Sequence, residues 1–340
     1  MNINSFRIVA TMALTMVGSY SWAQLDRVYP PEGSVISGTV TTILRDGVVV
    51  QVGGVEKKVP LEGIKRILFN REPRELSDAR SSVQEEQYEA AATKLQAIDI
   101  AAIGRDAIKA DALFFLAHSQ AKLALAGRGD KSAAVKNLIG FVNKYSQSWH
   151  YYDACRDVGD LALALGSQQN AVVYYSKLAS AKNAEYKLLS GYLVGWANLR
   201  MQKYDAASQA FAMVRSANVT SPEQLRLQKL AAAGEAAVAA GKGEPKKALA
   251  SLDKLIAESD PSDSELFGRM YNAQGACFAN MGDKEGAVLA YLKTHLMFQS
   301  DPETHAEALS ELAELWGEIG HPERGTEART ILEKRYPGRK

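Results

Sequence analysis

Five histidines and two cysteines are among the side chains of this 340-residue chain with the chemistry to bind a metal or to act in catalysis. No two histidines have the His-Glu-x-x-His spacing that places two zinc ligands on one face of a helix, and no histidine is grouped with a cysteine. The sequence therefore predicts no metal site. We expect each histidine to be a surface or helix-end residue: His118, His150, His295, His305 and His321.

Motifs for phosphate binding and for nucleophilic catalysis are also missing. The segment 241–247 resembles a phosphate-binding loop only in its glycines and lysines, and it lacks the Gly-Lys-Ser/Thr ending and the preceding strand. We expect it to be a loop between helices. The chain contains no Gly-x-Ser-x-Gly motif. The sequence therefore predicts no catalytic residue, no cofactor and a protein that is not an enzyme.

One stripe of side chains has the chemistry of a binding surface. Tyr192, Trp196 and Arg200 follow one another at intervals of four residues, which places them on one face of a helix. Aromatic and arginine side chains are frequent hot spots of interfaces, so the stripe suits a peptide or another helix. Asn272 and Asn280 are expected at comparable positions, where they could hydrogen-bond to an extended backbone. Alternatively, Trp196 fills a gap in the core and the two asparagines are simply exposed to solvent.

Charge excludes one large class of function. The chain has 40 lysine and arginine residues against 39 aspartate and glutamate residues, and 46% of its residues are hydrophobic. This neutral globular composition argues against a nucleic-acid-binding protein, which needs an excess of positive charge. An acidic stripe near the C-terminal end would give that end of the fold a polar outer face, or would meet a basic partner: Glu307, Glu311, Glu314 and Glu318.

The N-terminal segment has the organisation of a secretory signal peptide. Arg7 supplies the positive charge, residues 8–17 form an apolar run, and small residues precede a cleavage point at Gln24. The run is too short to span a bilayer, and no later stretch approaches about 18 apolar residues. Residues 1–23 are therefore predicted to be cleaved after Ala23, and the protein to be exported to the periplasm or secreted. The alternative is a buried N-terminal helix.

Residues 24–74 are predicted to form a small β domain. Runs rich in β-branched residues alternate with Asp46-Gly47 and Gly53-Gly54, dipeptides that favour hairpin turns. Strands so short and few bury too little area to be stable alone. We expect an antiparallel meander or an SH3-like half-barrel packed against the helices, as a cap or a second binding surface. The predicted strand segments are 35–36, 39–44, 48–52, 55–59 and 64–69.

Residues 75–340 show only helical periodicity, and the pattern repeats. A small residue followed four positions later by a large one recurs at intervals of 36 to 43 residues, and a second small residue lies upstream of each pair. In most repeats the two small residues lie twelve positions apart across a short turn, which lets two antiparallel helices approach closely, while the large residue fills the space to the next pair. The pairs are Ala91/Leu95, Ala134/Leu138, Ala171/Tyr175, Ala207/Phe211, Ala248/Leu252, Ala287/Tyr291 and the degraded Gly325/Arg329, with Ala79, Ala117, Gly159, Gly195, Gly234, Gly275 and Ala313 upstream.

These repeats resemble the tetratricopeptide family, most closely over residues 195–211 and 275–291. In the first of these segments Gly195, Tyr204 and Phe211 keep the spacing of the family's small and aromatic residues. The repeats are longer than the family's 34 residues. The resemblance implies a mainly α protein in which about seven helix pairs form a superhelix.

The resemblance also implies where a partner would bind. The first helices of the pairs would line the concave face of the superhelix, and the predicted binding stripe lies on such a helix. Family members that hold the C-terminal carboxylate of chaperones use Lys, Asn and Lys/Arg at fixed positions. Here those positions hold Leu76, Arg80, Arg156 and Asp160. That activity is therefore not expected.

The register of the repeats predicts the state of both cysteines. Cys155 and Cys277 fall in the first helices of the third and sixth pairs. Three pairs at about 10 Å each separate them by about 30 Å, whereas a disulfide needs Cα atoms within about 7 Å. We expect two free, largely buried thiols.

The function predicted from the sequence is a non-enzymatic scaffold in the cell envelope that binds a protein or peptide partner along the concave face. The alternative is a module that binds cell-wall polysaccharide or peptide by stacking on exposed aromatic rings. Exposed, coplanar rings would favour this alternative, and rings buried between helix pairs would remove it. The sequence makes no prediction of oligomeric state. The rings in question are those of Tyr151, Tyr152, Tyr192 and Trp196.

Overall fold

The computed structural model describes residues 25–336. Within this range a five-stranded sheet precedes fourteen α-helices. The predicted signal peptide lies outside the described residues. The strands are β1 (Asp26–Tyr29), β2 (Ile36–Leu44), β3 (Gly47–Val52), β4 (Val55–Pro60) and β5 (Arg66–Leu68).

The strands of the sheet are antiparallel to their neighbours, in the order β4-β3-β2-β1-β5. Strands β1 to β4 pair in sequence order, as in a meander, and β5 returns to pair with β1. The predicted turn at Asp46 and Gly47 joins β2 to β3, and Gly47 has a φ of +142°, which a side chain would disfavour. Strand β1 escapes prediction because it is short and half polar. Its pairing with both β2 and β5 stabilises it.

The helices form seven consecutive pairs, which confirms the predicted repeat architecture. No helix within residues 25–336 is both long and apolar enough to cross a membrane. The pairs are α1 (Arg74–Gln84) with α2 (Tyr88–Gln96), α3 (Asp106–Leu125) with α4 (Lys131–Lys144), α5 (Tyr151–Ala164) with α6 (Gln168–Lys177), α7 (Ala184–Arg200) with α8 (Tyr204–Arg215), α9 (Pro222–Gly241) with α10 (Pro245–Ala257), α11 (Ser264–Asn280) with α12 (Lys284–Met297), and α13 (Pro302–Glu318) with α14 (Pro322–Arg335).

Capping side chains set where several first helices begin. The side-chain oxygens of Asn183 and Ser221 accept hydrogen bonds from first-turn amides of α7 and α9. Asp263 and Asp301 do the same for α11 and α13. These caps satisfy amides that have no partner within the helix. They also fix the positions of the charged residues in each first turn, which line the candidate site.

The small residues identified in the sequence lie where the helices touch. A Cβ atom on Gly195 of α7 would overlap the ring of Phe211 on α8, and one on Gly234 of α9 would overlap the same ring. The ring therefore fills the space between two successive first helices, as the repeat pattern predicts. Equivalent contacts join Gly159 to Tyr175 and Gly275 to Tyr291.

The sheet and the first five helices share one hydrophobic core. Val28, Val50 and Ile67 of the sheet belong to the same buried cluster as Leu76 of α1 and Leu161 of α5. Three further clusters follow: a small one joins α5, α6 and α7, and two larger ones cover α7 to α11 and α12 to α14. The β domain is thus packed against the helical array, as predicted.

Asp26 ties the sheet to the helices. Its buried carboxylate accepts hydrogen bonds from the amides of Val40 and Asn70, both at 2.7 Å, and from both terminal nitrogens of Arg105, which precedes α3. Although burial acts to raise it, the pKa of Asp26 is lowered by Arg105 and the two amides. The carboxylate is therefore charged at neutral pH and holds the sheet in place.

Both cysteines are free and buried, which confirms the prediction. Burial raises the pKa of each thiol to about 11. The thiols of Cys155 and Cys277 are therefore protonated at neutral pH, and they act as small core residues.

Candidate functional site

The first helices of the pairs line a cavity of about 600 Å³ on the inner face of the superhelix. Its walls come from α3, α5, α7, α9, α11 and α13, and Leu189, Leu193 and Leu227 give it apolar surface. Seven carboxylates and only four basic groups line it, so the cavity carries an excess of negative charge. The acidic residues are Glu86, Asp160, Glu185, Glu223, Glu265, Asp301 and Glu303, and the basic ones are Lys122, Arg156, Arg226 and Arg269.

Arg226 organises one wall of this cavity. Its guanidinium donates to Asp263 at 2.6 Å and to Glu265 at 2.7 Å. The hydroxyl of Tyr192 donates to Glu265 at 2.7 Å. Burial raises the pKa of Tyr192 well above its ordinary value, and Glu265 adds to this effect. These groups tie α7, α9 and α11 together.

A second cluster joins α3 to α5 beside this cavity, which Lys122 and Asp160 of the cluster line. The buried carboxylate of Asp157 lies 2.6 Å from His118 Nδ1 and 3.1 Å from the Lys122 ammonium. Although burial opposes them, these partners hold the pKa of Asp157 well below its usual range. Burial raises the pKa of Asp160, against the effect of nearby Arg156 and Lys122. Burial therefore outweighs the basic neighbours of Asp160, whereas the partners of Asp157 outweigh burial.

Glu185, in the first turn of α7, differs from the equivalent residues of its neighbours. In α9, Arg226 follows Glu223 by three residues and lies 3.5 Å from it, whereas the equivalent position in α7 is Leu188. Burial raises the pKa of Glu185, and the carboxylates of Glu223 and Asp153 raise it further. A cation at this position would relieve the repulsion.

Glu303 of α13 lines this cavity and contacts a residue that lines a second one. Arg200 of α7 and Arg269 of α11 approach its carboxylate at 2.8 and 3.2 Å. The guanidinium of Arg269 lies over the ring of Trp196, 4.2 Å from the centroid. On the far side, Trp196 and Arg200 line a cavity of about 660 Å³. We call Trp196, Arg200, Arg269 and Glu303 the partition.

The partition contains hydrogen-bond donors without acceptors. Trp196 and Arg269 are 5% and 3% exposed, and the indole Nε1 of Trp196 and the Nε and Nη1 of Arg269 are buried with no hydrogen-bond partner within residues 25–336. Glu307 balances the charge of Arg269 from 3.7 Å. Buried donors without acceptors cost free energy. Three of them on two touching side chains therefore favour an added acceptor.

The predicted binding stripe is largely internal. Tyr192 and Trp196 are buried, so the structure supports the interpretation of Trp196 as core. Its ring packs edge-on against Phe211 and Tyr192. Arg200 is partly exposed and is engaged by Glu303. The stripe runs along the inner face, but its rings are covered by the neighbouring first helices. Its role in partner binding stays a prediction.

The two asparagines hold helices together. Asn272 is buried and donates to the backbone carbonyl of Thr304 at 2.9 Å, so the expectation that it faces a groove or bulk solvent is wrong. Asn280 is exposed, and it donates to the carbonyl of Ala240 at 2.9 Å. Each side-chain amide thus donates to a backbone carbonyl of a neighbouring first helix, and not to the backbone of a bound peptide.

The stacking-platform alternative is wrong. Tyr151, Tyr152, Tyr192 and Trp196 are all buried between helices, where no sugar ring could stack on them. Their amphipathic character serves packing instead: each ring fills apolar space, while the Tyr192 hydroxyl reaches a carboxylate.

Several histidines lie inside the helical array. The expected surface or helix-end position is correct for His150, which precedes α5, and wrong for His118, which lies in the middle of α3 and is mostly buried against Asp157. His305 is fully buried in the first turn of α13, 2.7 Å from both His295 and the Tyr336 hydroxyl. Within the described range, no group of three or more His, Cys, Asp or Glu side chains is placed to hold a metal.

Two residues of the predicted acidic stripe face inwards. Glu307 lies 3.7 Å from Arg269, and Glu311 lines the second cavity. Glu318 pairs with Lys284 of α12 at 3.1 Å. The stripe is thus not simply an outer face, because the curvature of the superhelix brings α13 opposite α7.

Sequence reasoning missed the charged residues that line the inner cavity. A repeat-by-repeat comparison would have found one signal, since α7, α9, α11 and α13 each carry a glutamate in the first turn. No single repeat shows that these residues share one cavity. They are Glu185, Glu223, Glu265 and Glu303.

No protein-family model and no curated protein matches the sequence. Among solved structures, NprR in complex with its cognate peptide NprX aligns with a TM-score of 0.50 and 16% identity, over 76% of each chain. A tetratricopeptide repeat protein from Parabacteroides merdae ATCC 43184 aligns with a TM-score of 0.43 and 17% identity, over 69% of this chain and 97% of that one. A thermophilic TPR protein of Thermus thermophilus aligns with a TM-score of 0.26 and 18% identity, over 70% and 97%. With its seven helix pairs in a single register of small and large residues, the chain has a tetratricopeptide-type helical repeat fold.

Proposed function

We propose that this protein is a non-enzymatic scaffold that binds a peptide segment of a protein partner in its inner cavity. The observation that carries the proposal is the cavity itself, to which six of the seven helix pairs contribute their first helices. Repeat superhelices use such surfaces to hold extended partners. NprR, which has a similar fold, was solved with a peptide, and this supports a peptide as the kind of partner.

The lining of the cavity favours a basic segment. Carboxylates outnumber basic groups, and leucines lie beside them. A lysine or arginine side chain matches this surface, because its aliphatic stem covers apolar atoms while its charge meets a carboxylate. Glu185 is the carboxylate best placed to receive that charge, since Leu188 stands where Glu223 has Arg226, and burial and neighbouring acids raise its pKa.

Export to the cell envelope is the second part of the proposal. It is supported by the signal-peptide organisation of residues 1–23. N-terminal sequencing of the native protein should return Gln24 as the first residue. A native protein that begins at Met1 would contradict export by this route.

Selection from a random peptide library tests the binding function. We expect the selected peptides to be rich in lysine and arginine. Their affinity should fall about tenfold or more in Glu185→Lys, because the substitution replaces attraction by repulsion inside the cavity. The matched control is Glu285→Lys, which makes the same charge change in the first turn of α12 outside the cavity. Equal losses in both variants, or selected peptides without basic residues, would contradict the proposal.

A further inference from the structure

A third cavity, of about 440 Å³, lies where the β domain meets the helices. The segment 61–65, which joins β4 to β5, lines it together with residues of α3, α5 and α7. Leu61 and Ile64 of this segment are buried, while Glu62 and Lys65 are exposed. Sites for small ligands often lie between two structural units and enclose about 300 to 1,000 Å³. We call this space the junction cavity.

The helices supply aromatic rings to the junction cavity. Phe114 stacks on His150 with the ring centroids 3.9 Å apart, and Phe115 meets the same imidazole edge-on at 5.0 Å. Trp149 lies 3.8 Å from it. Phe115 and Tyr186 are only partly buried, so the cavity reaches their rings. Rings favour stacked and edge-on contacts with other rings, and an added ring would continue this set.

Several charged groups at the junction cavity are already paired. Asp157 engages both His118 and Lys122. Asp153 accepts a hydrogen bond of 2.6 Å from the hydroxyl of Tyr186. A charge that has its partners gains little from a further ion. The junction cavity therefore favours an apolar occupant, and its rings favour an aromatic one.

The junction cavity continues the inner cavity. Lys122, Arg156 and Glu185 line both of them. A basic side chain that meets Glu185 therefore stands where the two cavities join. Consecutive Cα atoms of a peptide are about 3.8 Å apart. The residue beside the basic one thus comes within reach of the junction cavity.

We propose that the junction cavity binds an aromatic side chain of the partner, and that the recognised segment carries this residue directly beside the lysine or arginine at Glu185. The inference rests on the proposed function, because it adds a second recognised residue of the same peptide. It also assigns the β domain a part in binding. The segment 61–65 forms a wall of the site, so the β domain is a binding surface as well as a cap.

The wild-type protein provides the first test. Three probes are added to the full mature chain: a peptide with phenylalanine beside a lysine, the same peptide with alanine in place of phenylalanine, and phenethylamine. We expect the phenylalanine peptide to bind about tenfold more tightly than the alanine peptide, because it buries a ring. Equal affinities would overturn the inference.

Two signals of a ¹H–¹⁵N spectrum report on the junction cavity: the indole N–H of Trp149 and the backbone N–H of Lys65. The phenylalanine peptide and phenethylamine should shift both, because the current of an added ring changes the field at nearby protons. The alanine peptide should shift only the methyl signals of Leu189 in the inner cavity. If Lys65 does not respond to the phenylalanine peptide, the β domain does not form a wall of the site.

A substitution tests the aromatic contact itself. Phe115→Leu should bind the phenylalanine peptide about fivefold more weakly, because it removes a ring and keeps an apolar side chain, and should change the affinity for the alanine peptide less than twofold. The matched control is Phe278→Leu, since Phe278 is also partly buried but lies outside both cavities. Equal losses for both peptides, or in both variants, would contradict the inference. The wild-type comparison decides it if Phe115→Leu does not fold.

Failure of this inference is distinguishable from failure of the proposed function. If both peptides shift the Leu189 methyl signals and neither shifts Trp149 or Lys65, the inner cavity binds peptide and the aromatic site is disproved. If neither peptide binds, the proposed function fails, and phenethylamine decides the inference. Shifts of Trp149 and Lys65 would then support an aromatic site at the junction cavity, and unchanged signals would disprove it.

Discussion

Asp111 shows how individual charges are accommodated inside this fold. Its buried carboxylate lies 2.6 Å from Arg80 of α1 and 2.8 Å from His150 at the start of α5, and it accepts a hydrogen bond from the indole of Trp149. Although burial acts to raise it, Arg80 and His150 hold the pKa of Asp111 below its usual range. Removing one of these side chains leaves a buried charge without its partner. This lowers the stability of the fold by more than the intact ion pair contributes to it.

His305 gives the protein a pH dependence at the residue scale. Burial lowers its pKa to about 4, and the nearby His295 and Arg335 oppose a positive charge on it further. Its ordinary pKa in the unfolded chain is about 6.5. The unfolded state therefore binds the proton more readily than the folded state. The free energy of unfolding has the full contribution of neutral His305 above about pH 6.5, and it falls by up to about 3 kcal/mol as the pH decreases towards 4.

The measurement is urea unfolding of wild type, His305→Gln and His321→Gln between pH 4 and pH 7. The free energy of unfolding should fall less steeply with decreasing pH in His305→Gln than in wild type. His321 is half exposed at the surface, so its variant should follow wild type. If the free energy of unfolding fell with decreasing pH as steeply in His305→Gln as in wild type, the prediction would be contradicted.

At the scale of the helix pair, the contact between a small residue and a large ring sets the spacing of successive repeats. Phe211 is fully buried between Gly195 and Gly234, and an added Cβ on either glycine would overlap its ring. Overpacking a filled core forces side chains off their preferred rotamers or shifts the backbone.

Gly195→Ala is therefore expected to destabilise the protein by about 1 to 3 kcal/mol. Gly140→Ala is the matched control, because Gly140 lies within α4 with open space around it. In that position alanine should stabilise the helix by about 0.5 to 1 kcal/mol. Thermal and urea unfolding measure both changes. If both substitutions changed the free energy of unfolding in the same direction, this would argue against close helix contact at Gly195.

At the scale of the whole molecule, the hydrophobic core is divided unevenly. The sheet has no separate core, since its buried valines and isoleucine belong to a cluster that extends to Leu178 and Ala181 after α6. Beyond this point the packing is local, from one helix pair to the next, as in other repeat proteins.

A fragment of residues 25–73 is therefore expected to be unfolded, whereas residues 25–181 should fold cooperatively. Stability from burial grows with the apolar area that a unit removes from water, and the sheet alone removes too little. Amide dispersion and hydrogen exchange of the two fragments provide the measurement. Protected amides in the shorter fragment would show that the sheet is an independent domain.

Much of the fold was predictable because it depends on contacts between residues that are close in sequence. The spacing of Gly195 and Ala207, or of Gly275 and Ala287, lies within one helix pair and reflects direct contact between neighbouring helices. The same register predicts two free thiols, because it places Cys155 and Cys277 three pairs apart. Strand β1 escaped prediction since partners distant in sequence stabilise it.

The sequence by itself predicted about seven helix pairs and the small β unit before them, because hydrophobic period and small-residue contacts act over a few residues. Only the tertiary structure decided which side chains meet on the inner face. Arg200 and Glu303 belong to the fourth and seventh pairs, and their contact depends on the curvature summed over the pairs between them. Small rotations in each repeat add up to that curvature. The sequence left two interpretations of Trp196, an exposed binding residue or a core residue, and the structure places it in the core, beneath Arg269.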